Sequence, residues 1–351
     1  MTNEELIQET FELAKEGLGN TWPNPMVGAV IVKDGKVIGR GYHHKAGQDH
    51  AEIDAIKNAT ESVEGATLYV NLEPCCHTNK TTPPCAQRLV QEKIKKVVIA
   101  NLDPNPHVNG KGVEILKQNG IEVEHGILAK DGEALNEVFF TSQKLQRPFI
   151  HLKMASSLDG KTSLSTGESQ WITGPLARER VHVLRSQHQA VIVGAETVRK
   201  DNPKLNVRLE GYSGPQPLRI VFTQSGKLPK DALLFTDELK DKTLIYTFSP
   251  LSFDFPKDQV IQITSLEEAM KDLYQRKLMN LLMEGGATLA SNFIIENLID
   301  RITVFLNPSL IGSGTSLLGD LGLSNLEGRP RLKNIETNLI GEDIFISGRL
   351  T

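Results

Sequence analysis

Two α/β units in one chain are what this sequence predicts, and three observations predict them. The chain has 351 residues, beyond the size at which one hydrophobic core usually keeps growing. Short apolar runs alternate with amphipathic stretches in both halves, the pattern of strands joined by helical crossovers. That alternation lapses once, in a polar stretch ending at Gln146-Arg147-Pro148, and then restarts. The units are therefore expected at 1–146 and 147–351.

In the first unit, residues 27–32 and 37–41 flank Asp34-Gly35 and predict a β-hairpin. Helices follow at 50–59, 85–95 and 110–119, and strands at 66–71, 96–101 and 121–124. Residues 130–147 read as one polar helix. In the second unit, strands are expected at 149–154, 190–194, 217–223, 243–247, 260–263, 280–283, 301–306 and 343–348. Helices are expected at 175–186, 266–275 and 287–297. Parallel crossovers of this kind put functional sites near strand ends and helix starts.

Composition excludes several classes. The longest apolar runs, 190–194 and 302–306, are too short to span a bilayer. The acidic start, Met1-Thr2-Asn3-Glu4-Glu5, reads as a capped helix (Thr2 with Glu5) and not as a signal peptide. A cytoplasmic enzyme is expected. A net charge of −4 and 5% aromatic residues offer neither a basic stripe nor a stacking platform, so nucleic acid is not the expected partner. The three cysteines all lie between positions 75 and 85, which suits a metal site better than a disulfide scaffold.

The tightest motif is His50-Ala51-Glu52, followed by Glu73-Pro74-Cys75-Cys76-His77 and Pro83-Pro84-Cys85. One imidazole, two thiolates and a nearby non-ligating carboxylate are what a zinc-dependent deaminase needs. His50, Cys75 and Cys85 are the expected ligands of a single Zn2+. Three protein ligands leave a fourth position for water, as catalysis requires. Glu52 would move the protons. Helix positions i and i+2 do not share a face, so His50 and Glu52 converge only across an open helix start. A lone helix-start His is usually structural, as are many cysteine clusters. The combination in register is what argues for chemistry. Cys76 could replace Cys75, although Pro74 and the strand exit favour Cys75.

The surrounding residues resemble a known family. Pro23-Asn24-Pro25-Met26-Val27-Gly28, Gly41-Tyr42-His43, Gly47, Asp103-Pro104-Asn105-Pro106 and Gly110-Lys111-Gly112 occur in its order. So do Lys153-Met154-Ala155-Ser156-Ser157-Leu158-Asp159-Gly160-Lys161 and Gly167-Glu168-Ser169-Gln170-Trp171-Ile172-Thr173-Gly174. Leu184-Arg185, Val193-Gly194, Thr197-Val198, the segment from Asp201 to Arg208, and Glu284-Gly285-Gly286 complete the set. The sequence thus resembles the bifunctional diaminohydroxyphosphoribosylaminopyrimidine deaminase/5-amino-6-(5-phosphoribosylamino)uracil reductases of riboflavin biosynthesis. The likeness covers essentially the whole chain.

That resemblance implies a cytidine-deaminase-like α/β/α sandwich and a dihydrofolate-reductase-like α/β domain. It implies hydrolytic deamination of 2,5-diamino-6-(5-phosphoribosylamino)pyrimidin-4-one, then NADPH-dependent reduction of the ribosyl unit. It also implies a homo-oligomer, a dimer or tetramer; the apolar segment 302–311 suits a subunit surface and buried core equally well. In the first unit, Asn24 would hold the ring edge, His43, His77 and Lys80 the phosphate, and Asp103 and Asn105 further parts of the substrate. In the second, Lys153, Asp201 and Glu284 would serve catalysis, and Ser169, Arg185, Leu205 and Arg208 the substrate. Arg185 and Arg208 suit a phosphate clamp because guanidinium pairs with phosphate oxygens. The cofactor would meet Lys153, Ala155, Trp171, Thr173, Gly194, Thr197, Asp201, Gly285 and Gly286. No Gly-x-Gly-x-x-Gly follows a strand here, so a Rossmann domain is not predicted.

The sequence departs from the family pattern in places. Nine residues separate Cys75 from Cys85 instead of eight, Ala29 stands where many members have Cys, and Asn202 replaces a second Asp. Gln189 and Asn206 differ too. Rival readings are a deaminase of nucleosides, tRNA or other purines with a merely binding second unit, a zinc-stabilised binding module without catalysis, and one live domain beside a dead one, which intact signatures in both halves disfavour.

Overall fold

The computed structural model describes residues 1–76, 84–105 and 108–351. The chain divides into two compact units, Met1–Gln146 and Arg147–Thr351. Among the described residues, no helix is long and apolar enough to cross a membrane.

The first unit runs α1 (Asn3–Lys15), β1 (Gly28–Lys33), β2 (Lys36–Tyr42), α2 (Ala51–Lys57), β3 (Thr67–Leu72), α3 (Cys85–Gln91), β4 (Lys96–Asn101), α4 (Lys111–Gln118), β5 (Glu122–His125), α5 (Ala129–Leu135) and α6 (Glu137–Leu145). Its five-stranded sheet has the order β2-β1-β3-β4-β5. The hairpin strands β1 and β2 pair antiparallel, and β3, β4 and β5 are parallel. Alternate side chains of the strands enter opposite cores. Ala29, Ile31, Leu68, Val70, Val97 and Ile99 pack with residues of α2, α3 and α4. Val30, Tyr69, Val98 and Ala100 pack with Leu6, Ile7 and Phe11 of α1. The sheet is thus covered on both faces. Thr2 and Glu5 form the expected capping box of α1.

The single polar helix expected at 130–147 is instead two, α5 and α6. Asn136 separates them because its buried amide is spent elsewhere. Its Oδ1 accepts the Met26 N–H at 2.8 Å, and its Nδ2 donates to the Met26 carbonyl at 2.8 Å.

The second unit continues with β6 (Phe149–Ser157), β7 (Lys161–Leu164), α7 (Pro175–Gln187), β8 (Ala190–Gly194), α8 (Ala195–Asp201), β9 (Leu218–Thr223), α9 (Leu233–Thr236), β10 (Thr243–Thr247), β11 (Val260–Gln262), α10 (Leu266–Gln275), β12 (Asn280–Glu284), α11 (Ala287–Ile295), β13 (Arg301–Asn307), β14 (Gly314–Ser316), β15 (Leu332–Ile340) and β16 (Asp343–Leu350). A nine-stranded sheet has the order β11-β10-β9-β8-β12-β6-β13-β16-β15. From β11 to β13 neighbouring strands are parallel, and β16 and β15 close the edge antiparallel. Ile150, Leu152, Ile192, Ile220, Leu281 and Met283 face α10 and α11, whereas Val191, Val193, Val221 and Ile245 face the other way.

Strands β7, β14 and β15 and helices α8 and α9 were not expected. Strand β15 is exposed at nearly every position, so it lacks the alternation that marks a half-buried strand. Ile302 and Phe305 of the segment proposed as a subunit surface are buried in their own unit, while Leu310 is exposed.

Candidate active sites

In the first unit, β3 ends just before Cys75, and α3 begins at Cys85 behind Pro84. His50 is the N-cap of α2, with extended backbone angles that turn its ring away from the helix. Its Nδ1 lies 3.5 Å from Cys75 Sγ and 3.2 Å from Cys85 Sγ. A tetrahedral zinc with ordinary Zn–S and Zn–N bonds separates S and N by about 3.6 Å, so this donor set fits that ion. Cys76 is not part of the cluster.

A hydrogen bond from the Cys85 thiol holds Cys75 down at about 3. The same bond, with burial, pushes Cys85 well above the usual thiol range. Burial raises the Glu52 carboxyl, against the pull of His50. Glu52, in the first turn of α2, is 3% exposed and hydrogen-bonds Cys85. An acid–base group beside the metal ligands is what a deaminase requires.

Asn24 sits half-buried before β1, with its Nδ2 3.1 Å from His43 Nε2. His43 Nδ1 lies 2.9 Å from the Asp49 carbonyl, to which it donates. Nε2 then accepts from Asn24. Both ring nitrogens of this buried histidine thus meet protein groups, the Asn24 amide among them. Met26, two residues on, is clamped by Asn136 and by Asn71, whose Nδ2 donates to the Met26 carbonyl at 3.0 Å. Asp103 is buried, and its Oδ1 accepts the Asn105 N–H at 2.8 Å. His77 and Lys80 lie outside the described residues.

In the second unit, the carboxyl ends of β6, β8, β9 and β12 open onto a cavity of about 1400 Å³. Small-molecule pockets usually span about 300–1,000 Å³, so substrate and dinucleotide can share this one. Every reductase residue singled out from the sequence lines it. Lys153, midway along β6, pairs in register with Glu284 at the end of β12. Arg185 grips Glu284 with two bonds, Nε to Oε1 at 2.6 Å and Nη2 to Oε2 at 2.8 Å. Its Nη1 also donates to the Asn206 carbonyl at 2.9 Å. All three guanidinium nitrogens of Arg185 thus meet protein acceptors in this structure. Arg208 has an Nη1 bond to Asn206 Oδ1.

Burial pushes Glu284 up, but the Arg185 guanidinium outweighs it and holds the carboxyl below its usual range. Desolvation lowers the Lys153 ammonium, opposed by Glu284. Partial burial likewise raises Asp201, against the Ser169 hydroxyl bonded to it. Leu205 is 2% exposed and holds a φ of +53°, a left-handed geometry that a leucine adopts at some cost.

Gly194 caps α8, and Gly285 and Gly286 lead into α11 with φ of +78° and +84°. A Cβ on either of the pair would meet Thr197 Oγ1 at 3.6 Å and no nearer atom. Bare backbone therefore faces the cavity, as close approach to a pyrophosphate needs. Trp171 is 68% exposed at the rim, and the Arg178 guanidinium lies 4.7 Å from its ring centroid. Arg178 Nη1 also donates to the Thr173 carbonyl at 2.7 Å. Ala155 completes the β6 wall.

Several lining groups escaped the sequence reading. Arg178 and His182 share the face of α7 that carries Arg185, so helical spacing could have found them. Partial burial and the charges of Arg185 and Arg208 lower His182 to about 4. Thr223 ends β9, and Gln224 and Ser225 follow it, where strand-end logic points. Asp159 proves to be a turn residue, accepting from the Ser157 hydroxyl at 2.6 Å and from the Ile311 and Gly312 N–H groups.

A family profile described as the cytidine and deoxycytidylate deaminase zinc-binding region matches residues 1–101. One described as the RibD C-terminal domain matches residues 148–346. The riboflavin biosynthesis protein RibD of Aquifex aeolicus is 42% identical over 341 residues, covering 96% of this chain and 95% of its own. That of Escherichia coli is 35% identical over 367 residues, 99% of each. A solved structure of Acinetobacter baumannii RibD superposes with a TM-score of 0.89 at 38% identity, covering 99% of both chains. A Thermotoga maritima structure described as a diaminohydroxyphosphoribosylaminopyrimidine deaminase/5-amino-6-(5-phosphoribosylamino)uracil reductase gives 0.86 at 38%, again covering 99% of both.

A zinc-binding deaminase unit joined to a RibD C-terminal unit defines a bifunctional deaminase and reductase. The chain belongs to the RibD family of riboflavin biosynthesis enzymes. Its cofactors are zinc in the first unit and NADPH in the second.

Proposed function

We propose that residues 1–146 deaminate 2,5-diamino-6-(5-phosphoribosylamino)pyrimidin-4-one and that residues 147–351 then reduce its ribosyl unit to ribityl. The observation that carries this reading is the meeting of His50, Cys75 and Cys85 around one point, with buried Glu52 against them. Zinc bound there supplies the Lewis acidity that makes water nucleophilic near neutral pH. Glu52 takes a proton from that water, delivers it to a ring nitrogen, and helps the amine depart as ammonia. Asn24, aligned by His43, holds the ring edge. Asp103 and Asn105 contact the rest of the substrate, and His77 and Lys80 are proposed for its phosphate.

In the second unit, NADPH supplies the hydride. The ribosylamine ring opens to an imine, C1 accepts the hydride, and the imine nitrogen gains a proton. Lys153, with its ammonium destabilised by desolvation, lies where it can hydrogen-bond the opened sugar and yield that proton. Glu284, kept ionised by Arg185, fixes Lys153 and the sugar hydroxyls. Asp201 and Ser169 orient the reacting end, Leu205 packs against it, and Arg208 remains the better candidate for phosphate. Gly194, Thr197, Gly285 and Gly286 receive the pyrophosphate, and Ala155, Trp171 and Thr173 the nicotinamide side. The enzyme is proposed to work in the cytoplasm as a homo-oligomer, a dimer or tetramer.

Supplying the phosphorylated diaminopyrimidine with and without NADPH tests the reading, with ammonia and cofactor absorbance followed together. Ammonia is expected in both conditions, and cofactor oxidation only after deamination. Ammonia from an unphosphorylated nucleoside instead, with no cofactor oxidation, would favour the nucleoside-deaminase rival.

A further inference from the structure

The residue before Pro74-Cys75 does something its position in the motif does not disclose. Glu73 is 3% exposed, and its carboxylate accepts four backbone N–H groups. Oε2 takes those of Asp103 at 3.1 Å and Gly110 at 2.9 Å. Oε1 takes those of Gly112 at 2.9 Å and Val113 at 3.2 Å. The Glu73 N–H in turn donates to the Asn101 carbonyl at 2.9 Å. A carboxylate offers about four acceptor sites, so this one is fully used by the backbone. It has nothing left for metal or substrate, and its role is geometric.

The three segments it gathers are the end of β3, which leads to Cys75, the turn after β4, which carries Asp103 and Asn105, and the start of α4. Their approach is close. A Cβ on Gly112 would lie 2.2 Å from the Pro74 carbonyl oxygen and 3.0 Å from Glu73 Oε1. Only glycine allows α4 to sit there.

We infer that Glu73 is a positioning residue of the deaminase, fixing the ligand Cys75 and the substrate turn Asp103–Asn105 in one geometry. The inference rests on the reading that the phosphorylated pyrimidine is deaminated beside His50, Cys75 and Cys85. A carboxamide has nearly the same shape, but one of its two ends is a donor. Glu73→Gln therefore turns an N–H donor toward two of the four backbone N–H groups, and buried donors without acceptors are costly. The Asp103 turn or the start of α4 must then move away.

A plain helix-capping role would lower stability but leave the folded, zinc-loaded enzyme kinetically normal. The test is zinc content, deaminase KM and kcat of Glu73→Gln, with reduction of supplied deaminated substrate measured on the same sample. Retained zinc, unchanged reduction and a KM raised at least about tenfold, with kcat changed less than about threefold, are expected for lost substrate positioning. A zinc-loaded variant with wild-type KM and kcat would overturn the inference. Should the variant lose zinc or fail to fold, hydrogen exchange of the wild-type protein decides. Chelation of the zinc is then expected to speed exchange of the Asp103, Gly110, Gly112 and Val113 amides together, by more than about tenfold, because linked groups open as one unit. Unchanged exchange at these amides would refute the coupling. If the wild-type enzyme releases no ammonia, the underlying reading fails instead, so the two failures are told apart.

Discussion

Glu52 and Glu284 are both buried carboxylates, yet their surroundings prepare them for opposite work. Burial raises the Glu52 carboxyl against the pull of His50, the direction a proton carrier needs. Glu284 faces a two-pronged guanidinium and stays ionised. Glu52→Gln is accordingly predicted to cut ammonia release by about 10²–10⁴-fold while zinc content holds. Activity within a factor of two of wild type would refute the role. Arg185 can be tested by a double-mutant cycle. If it acts through Glu284, then Arg185→Ala and Glu284→Gln lose less reduction together than the sum of their separate losses. Additive losses, with a preference for phosphorylated substrate abolished by Arg185→Ala alone, would restore the phosphate clamp.

The elements explain why some of this was legible in the sequence and some was not. Strands β1, β3, β4, β8 and β12 carry apolar periodicity, and the zinc ligands lie in short segments at a strand end and two helix starts. Such features declare themselves locally. Glu73 does not, because its partners are backbone N–H groups that any residue carries and that lie 30 to 40 positions away. Asn136 is similar, since nothing near it signals that Met26 will claim its amide from 110 positions off. Arg219 shows the same limit in the second unit. It is fully buried, and its guanidinium binds Asp237 twice, at 2.7 and 2.9 Å, and the Leu234 carbonyl. This pair ties β9 to α9 and, through a longer bond to the Lys204 carbonyl, to the wall of the cavity. Asp237→Ala leaves a buried cation unpaired and should cost about 3–5 kcal/mol. Urea unfolding followed by far-UV circular dichroism checks it, and a loss below about 1 kcal/mol would show that water reaches the site.

At the scale of the whole molecule, a polar strip under α7 makes stability depend on pH. His151 Nδ1 meets His188 Nε2 at 3.3 Å, and His151 Nε2 meets the Thr303 hydroxyl at 2.7 Å. His188 Nδ1 donates to the Leu184 carbonyl at 2.6 Å. Burial lowers His188 to about 4, and burial with the charges of His188 and Arg301 drives His151 well below the usual range. Both rings are neutral in the native state, whereas the unfolded chain protonates them near about 6.5. Between those limits the unfolded state binds more protons, so stability falls as pH drops from about 6.5 toward 4. Melting temperatures across that interval test the sign. His188→Gln should flatten the slope, and an unchanged slope would assign it to other groups. Removal of zinc by a chelator, by contrast, should stop deamination and leave reduction of deaminated substrate unaffected.

Two separate chemistries reside in one chain under the proposed function, and one measurement addresses them directly. Glu52→Gln enzyme is given the phosphorylated diaminopyrimidine and NADPH, then the deaminated intermediate and NADPH. No ammonia and no cofactor oxidation are predicted in the first mixture, and cofactor oxidation at the wild-type rate in the second. Undiminished ammonia in the first, or no oxidation in the second, would contradict it.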